Sequence, residues 1–177
     1  STDGGISWGT DTPLTNGPIT SHEPSIVVVG SLVHVFWYCW LDGNYEIMYN
    51  RSLDGGNTWE SVIRLTDALY ESQGNSAAAS GSSLHVVWQD LRDGYAEPEI
   101  YYKHSLDNGL TWDSDIRLTN DTFYSAFTCI AASGSVVHVV WEDYRNGNRE
   151  IYYIRSNDEG ISWGPVSKLS NSFAGAW

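Results

Sequence analysis

The pattern Ser-x-Asp-x-Gly-x-x-Trp occurs four times without a mismatch: STDGGISW from Ser1, SLDGGNTW from Ser52, SLDNGLTW from Ser105 and SNDEGISW from Ser156. The starts are 51, 53 and 51 residues apart. A fixed period near 50 residues argues against a single-core fold. It points to a propeller or an array, in which each unit buries its apolar faces against its neighbours. The likeness extends well beyond the pattern. Residues 30–52 align with 134–156 without a gap, and 81–105 align after two extra residues near Tyr95 to Pro98, which account for the longer middle spacing.

Each unit reads as four short strands. The first covers 24–30, 75–81 and 128–134, the second 32–38, 84–89 and 136–142, and the third 46–51, 99–104 and 150–155. The fourth follows each pattern tryptophan, as at 58–66, with one further copy at about 7–15. Gly, Asn and Asp punctuate every junction, as hairpins require. Nine Trp, eleven Tyr, 17 Gly and a single Met favour strands and tight turns over helices. The first and second strands are near-continuous apolar runs, which implies cover on both faces. Ala and Ser in two of the first strands suit the crowded innermost position of a blade.

The repeated pattern falls in the hairpin between the third and fourth strands. There its Asp can accept hydrogen bonds from its own turn. The Gly supplies a positive φ, and the Trp can pack between sheets. Ser1, Asp3, Gly5 and Trp8, Ser52, Asp54, Gly56 and Trp59, Ser105, Asp107, Gly109 and Trp112, and Ser156, Asp158, Gly160 and Trp163 are therefore read as structural.

This pattern resembles the Asp box, or bacterial neuraminidase repeat, over nearly the whole chain. The resemblance implies an all-β, sialidase-like β-propeller with blades of four antiparallel strands, and boxes on the face opposite the active site. The units fall at about 1–51, 52–104, 105–155 and, in part, 156–177. The C-terminal SNSFAGAW resembles the start of a fourth unit, because LSNSFAGAW echoes LTNDTFYSAF. That makes about three full blades plus one extra outer strand. Rings close with about four to eight blades, so completion must come from further sequence or from self-association. The chain opens inside a repeat and reads as a piece of something longer.

On the face opposite the boxes, the loops after the second strands read WQDLRDG (88–94) and WEDYRNG (141–147). Asp90 and Arg92, Asp143 and Arg145, with Glu142, Tyr144 and the Trp40 of unit one, are the candidates for a polar ligand such as a glycan. The competing reading is that each Asp and Arg pair to fix the loop. Unit one departs, with Cys39 and Leu41 in place of that Asp and Arg, and with Tyr38 and Trp40 as an aromatic platform.

His34, His85 and His138 share one strand position and read as structural imidazoles. Glu46, Glu99 and Glu150 read as turn or salt-bridge residues, with a channel cation as the alternative. Cys39 and Cys129 read as free thiols, and no metal or cofactor motif is present, although the acidity leaves room for a divalent cation such as calcium. A net charge of −13 argues against nucleic acid and anionic membranes, and no apolar run is long enough for insertion.

Three functions fit. The first is a non-catalytic, secreted or cell-surface module that binds glycan or another surface ligand. The second is a sialidase-like glycoside hydrolase, whole only as part of a larger ring. The third is a structural repeat scaffold. The resemblance implies that a working sialidase needs three converging arginines, an acid Asp and a Tyr activated by a Glu. No Arg-Ile-Pro motif occurs, only Arg92 and Arg145 occupy comparable mouth positions, and the sequence identifies no catalytic residue.

Overall fold

The computed structural model describes residue 1 and residues 3–15, 17, 19–94 and 97–171. Twelve strands form three antiparallel sheets of four. Blade 1 is β1 (Ser21–Val29), β2 (Leu32–Leu41), β3 (Asn44–Ser52) and β4 (Ile63–Arg64). Blade 2 is β5 (Ser72–Ser80), β6 (Ser83–Asp90), β7 (Glu99–Ser105) and β8 (Ile116–Arg117). Blade 3 is β9 (Ser125–Ser133), β10 (Val136–Asp143), β11 (Glu150–Ser156) and β12 (Ser167–Lys168). No helix forms among the described residues. The architecture is a partial β-propeller, as the period requires.

Two expectations need correction. The fourth strands pair over only two residues each, such as Met48 with Arg64 and Tyr49 with Ile63, because the box turn and its tryptophan occupy the residues before them. The extra strand at 7–15 does not form; no third strand stands beside it among the described residues. Of the C-terminal LSNSFAGAW, residues 172–177 lie outside the described residues.

The core lies between sheets. Phe36, Tyr38, Ile47, Tyr49 and Leu65 of blade 1 meet Leu84, Val86, Trp88 and Tyr101 of blade 2. The other face of blade 2, with Val87, Ile100, Tyr102 and Leu118, meets Ile130, Val137, Val139, Trp141, Tyr152 and Ile154 of blade 3. Strand β6 is therefore buried along nearly its whole length, whereas β10, of closely similar sequence, alternates between buried and half-buried residues. The outer face of blade 3 is uncovered by any described residue. At the axis β5 lies against both β1 and β9, and Ala77 N donates to Ser25 Oγ while Ile130 N donates to Ser76 Oγ. Such close approach requires the small residues of β5.

Each box closes as a hydrogen-bonded turn. In the second, Ser52 Oγ donates to Asp54 Oδ1 at 2.8 Å and accepts from Gly56 N at 2.8 Å. Asp54 accepts from Thr58 N and Oγ1 at 2.8 and 2.6 Å. Ser7, Thr111 and Ser162 repeat that last role. The hydroxyl residue before the tryptophan thus belongs to the box, which the sequence reading missed. The box glycines have φ of 89, 92, 78 and 88°. The second, third and fourth boxes lie beside the first hairpin turns of their blades, as in Gly55 N to Ser31 O at 2.8 Å, on the face opposite the β2–β3 type loops.

Buried polar groups repeat with the blades. Glu46 meets Arg64 at 2.8 Å and the Thr66 hydroxyl, and Glu99 meets Arg117 at 2.7 Å and the Thr119 hydroxyl. In blade 3, Glu150 takes Lys168 at 3.1 Å and Ser170 at 2.5 Å. The salt-bridge reading of these glutamates holds. His34, His85 and His138 hydrogen-bond Tyr49, Tyr102 and Tyr153 at 2.8, 2.7 and 2.8 Å. Among the described residues no group of three or more His, Cys, Asp or Glu is placed to hold a metal ion.

These groups predict acid sensitivity. Burial, helped by the charges of Arg51 and of His104 respectively, lowers His34 and His85 to about 4. Hydrogen bonds, chiefly from the hydroxyls of Thr58, Thr111 and Ser156, lower Asp54, Asp107 and Asp158 to about 2. In both classes the unfolded chain binds more protons than the folded one. Their stabilisation is complete above the unfolded histidine value of about 6.5. It falls as pH drops from there to about 4, and again from about 4 to about 2 as the box carboxylates protonate. Urea midpoints measured from pH 7 downward should fall in these two steps; midpoints unchanged between pH 7 and 4 would contradict the histidine assignment.

Candidate functional site

On the face opposite the boxes, the inner strands open each blade with a bulge. The β1–β2 register slips between His22 and Ser25, and the β5–β6 register between Gln73 and Ser76. The β9–β10 register slips between Val140 and Glu142, opposite Phe127. At the bulge the backbone turns left-handed in every blade, at Glu23 (φ 46°), Gly74 (φ 67°) and Phe127 (φ 53°). Glutamate and phenylalanine adopt that conformation only at a cost of about 1–3 kcal/mol, and such residues cluster at binding sites. A bulge re-aims side chains at the rim of a sheet.

These bulges line one cleft of about 300 Å³, with Glu23, Tyr38, Gln73, Gly74, Asn75, Gln89, Phe127 and Thr128 in its wall. The volume is at the lower end of the range for ligand sites, about 300–1,000 Å³. Both polar atoms of the Asn75 amide, and the hydroxyl of the buried Thr128, have no hydrogen-bond partner among the described residues. Buried polar groups are almost always paired, so each unpaired one needs a reason. The phenol of Tyr38 is pushed up by burial and by the Glu23 carboxylate beside it, and so keeps its proton at neutral pH. His22 stacks on Tyr38 at 5.2 Å, Tyr45 meets Tyr38 edge-on at 5.2 Å, and Trp40 meets Tyr45 edge-on at 5.1 Å. An aromatic run thus leads from the cleft to the rim, ending on Trp40, 47% exposed.

The residues named from the sequence are placed differently. Asp90 is fully buried; it accepts from Trp88 Nε1 and Ser72 Oγ at 2.8 and 2.9 Å and from Arg92 Nε and Nη2 at 2.8 and 2.6 Å. Asp143 repeats this with Trp141, Ser125 and Arg145. Burial alone would raise the Asp143 carboxyl, but the hydrogen bonds from Arg145 and Trp141 outweigh it and hold it below the usual range. Arg92 and Arg145 lie over Tyr101 and Tyr152 at 4.3 Å, and bridge on to Asp115 and Asp121 at 2.8 and 2.9 Å. These pairs fix the loops. Glu142 pairs with Arg149 at 3.1 Å, and Tyr144 lines a separate recess with Tyr124 and Arg149. Only Tyr38 and Trp40 of the aromatic platform connect with the cleft. Cys39 is buried and Cys129 exposed, both as free thiols.

No family model matches this sequence, and no curated protein matches it. Solved structures do. An α-L-arabinanase of Penicillium chrysogenum, complexed with arabinobiose, superposes with a TM-score of 0.65 at 16% identity over 86% of this chain. A family 117 glycoside hydrolase produced by Zobellia galactanivorans gives 0.59 at 13% over 91%, and a Trypanosoma rangeli sialidase in complex with sialic acid gives 0.55 at 16% over 82%. This chain spans 50%, 58% and 30% of those three proteins, respectively. The likeness is one of fold: the three four-stranded sheets are arranged as blades of a β-propeller.

Proposed function

We propose that the axial cleft binds a glycan and that this chain is a carbohydrate-recognition segment of a propeller, set at a cell surface or secreted. The observation that carries this reading is the unpaired Asn75 amide and Thr128 hydroxyl in the cleft wall. An amide and a hydroxyl each donate and accept, as sugar hydroxyls do. Tyr38 and Phe127 supply apolar ring surface beside them. The similarity of the fold to carbohydrate-active propellers supports the same class of ligand. Recognition rather than turnover is favoured because Glu23 is the one carboxylate in the described cleft wall, whereas glycoside hydrolysis usually needs two.

A second reading, hydrolysis, has one observation in its favour: Glu23 stands beside the Tyr38 phenol, and sialidases use a Tyr nucleophile. Calorimetric titration with arabinobiose and with sialic acid, after screening on a glycan array, separates the two. Binding without turnover is expected. Asn75→Ala or Thr128→Val should weaken binding about tenfold, the loss of one hydrogen bond of roughly 1.4 kcal/mol. Turnover abolished by Tyr38→Phe would favour the enzyme. Glycan binding indifferent to both cleft substitutions would place the site elsewhere.

A further inference from the structure

One aromatic side chain of the mouth stands outside the cleft wall: Trp40. Strand β2 ends in Tyr38, Cys39, Trp40 and Leu41, whose side chains alternate between its two faces. Cys39 and Leu41 pack with Trp37 and Met48 on one face of blade 1. Tyr38 and Tyr45 pack in the interface with blade 2. Trp40 stands on that same side, paired across the strands with Tyr45 and edge-on to its ring. Blade 2 nevertheless leaves the indole nearly half exposed, whereas Leu91, at the equivalent position of blade 2, is buried.

The indole is held in place although it is exposed. Tyr45, which meets it, is itself braced edge-on by Tyr38 at 5.2 Å. The turn between β2 and β3 is tied down by Asn44 Nδ2, which donates to Ala68 O and Tyr70 O at 2.8 and 3.1 Å. Those two bonds set the β4–β5 link, with its exposed Leu69, beside the turn. The edge-on contact also leaves at least one face of the indole clear of Tyr45.

We propose that the cleft and Trp40 are the inner and outer subsites of one site for an oligosaccharide. One sugar ring hydrogen-bonds Asn75 and Thr128 in the cleft, and a later ring of the same chain lies on the Trp40 indole. The pairing rests on the cleft being a glycan site, and it makes the ligand a chain of sugars rather than a single one. Continuity carries it. Tyr38 belongs to the cleft wall, and Trp40 lies two residues further along β2, about 7 Å toward the rim. That is a step which the next residues of a sugar chain bridge. The chemistry divides in the matching order. The enclosed end offers the amides of Gln73, Asn75 and Gln89 and the hydroxyl of Thr128, which suit sugar hydroxyls withdrawn from water. The exposed end offers a flat aromatic surface, which suits the C–H face of a ring still partly in water.

The test is affinity against chain length. A glycan array printed with the mono-, di- and trisaccharides of common sugars, arabinose among them, is read first, and each series that binds is titrated by calorimetry. The trisaccharide is expected to bind roughly tenfold more tightly than its monosaccharide, a difference of about 1.4 kcal/mol. Trp40→Ala should abolish that ratio with little change in melting temperature, because the indole is exposed. Trp40→Tyr, which keeps an aromatic face, should restore much of it. Thr128→Val should weaken every member of a series by a similar factor and so preserve the ratio. Equal affinities at all three lengths overturn this inference and leave the cleft reading standing, as does a ratio that Trp40→Ala does not change. Binding that ignores Thr128→Val and Asn75→Ala, or a failure of every series to bind, overturns both.

Discussion

Replacing Gly109 by alanine should cost the fold about 3 kcal/mol. Two penalties add. An L-residue at φ 78° costs about 1–2 kcal/mol, and forcing a methyl into a packed contact costs about 1–3 kcal/mol. The second arises because the new Cβ would stand 2.0 Å from Tyr49 Oη and 2.7 Å from its ring carbon. Tyr49 cannot retreat, being fully buried and held by His34. Gly55→Ala is the control: its φ is 74° but nothing lies within 4 Å of the added methyl, so only the backbone penalty of about 1–2 kcal/mol remains. For a chain of this size 1 kcal/mol moves the melting temperature by roughly 2–4 °C. Calorimetry should find Gly109→Ala melting about 6–12 °C lower and Gly55→Ala by about half that or less. Equal losses at the two sites would mean that the close approach to Tyr49 carries no energy.

The second large effect is at the loop of blade 3. Arg145→Ala strands the fully buried Asp143 carboxylate with only Trp141, Ser125 and the Arg145 backbone N–H as donors. Breaking a buried ion pair from one side costs about 3–5 kcal/mol; because the Arg145 side chain is 26% exposed, the lower end, about 3 kcal/mol, is expected. Blade 1 supplies the comparison, since it holds Cys39 and Leu41 at the equivalent positions and still folds. The double substitution Asp143→Cys with Arg145→Leu should therefore cost less than Arg145→Ala alone, about 1 kcal/mol, because no buried charge is left unpaired. Denaturant midpoints of the three chains check the order.

The blades were legible because a 51-residue period preserves every local signal: the turn residues of the boxes, the apolar second strands, and the Glu that opens each third strand. The limits of that reading are equally local. Gly109 shows its need for positive φ in sequence, but its need for an empty Cβ depends on Tyr49, sixty residues earlier and in another blade. The hydroxyl at Thr58 was visible in all four boxes as Ser or Thr, and its role was missed because the Ser, Asp, Gly and Trp already accounted for a turn. Asp90 and Arg92 stood out because charged residues recur in a loop, yet each satisfies the other. The cleft residues did not stand out. Glu23, Gly74 and Phe127 share a position but no chemistry, and the bulge adds a residue to the inner strand that no change of blade period betrays.

That last arrangement has a consequence for what the cleft can display. The three left-handed kinks hold the same backbone path whether an acid, a hydrogen atom or a phenyl ring projects from it. The scaffold thus separates the geometry of its mouth from the groups displayed there. Selection, or an engineer, can exchange the displayed groups blade by blade, while the indoles and hydroxyls on the far face keep the sheets in register.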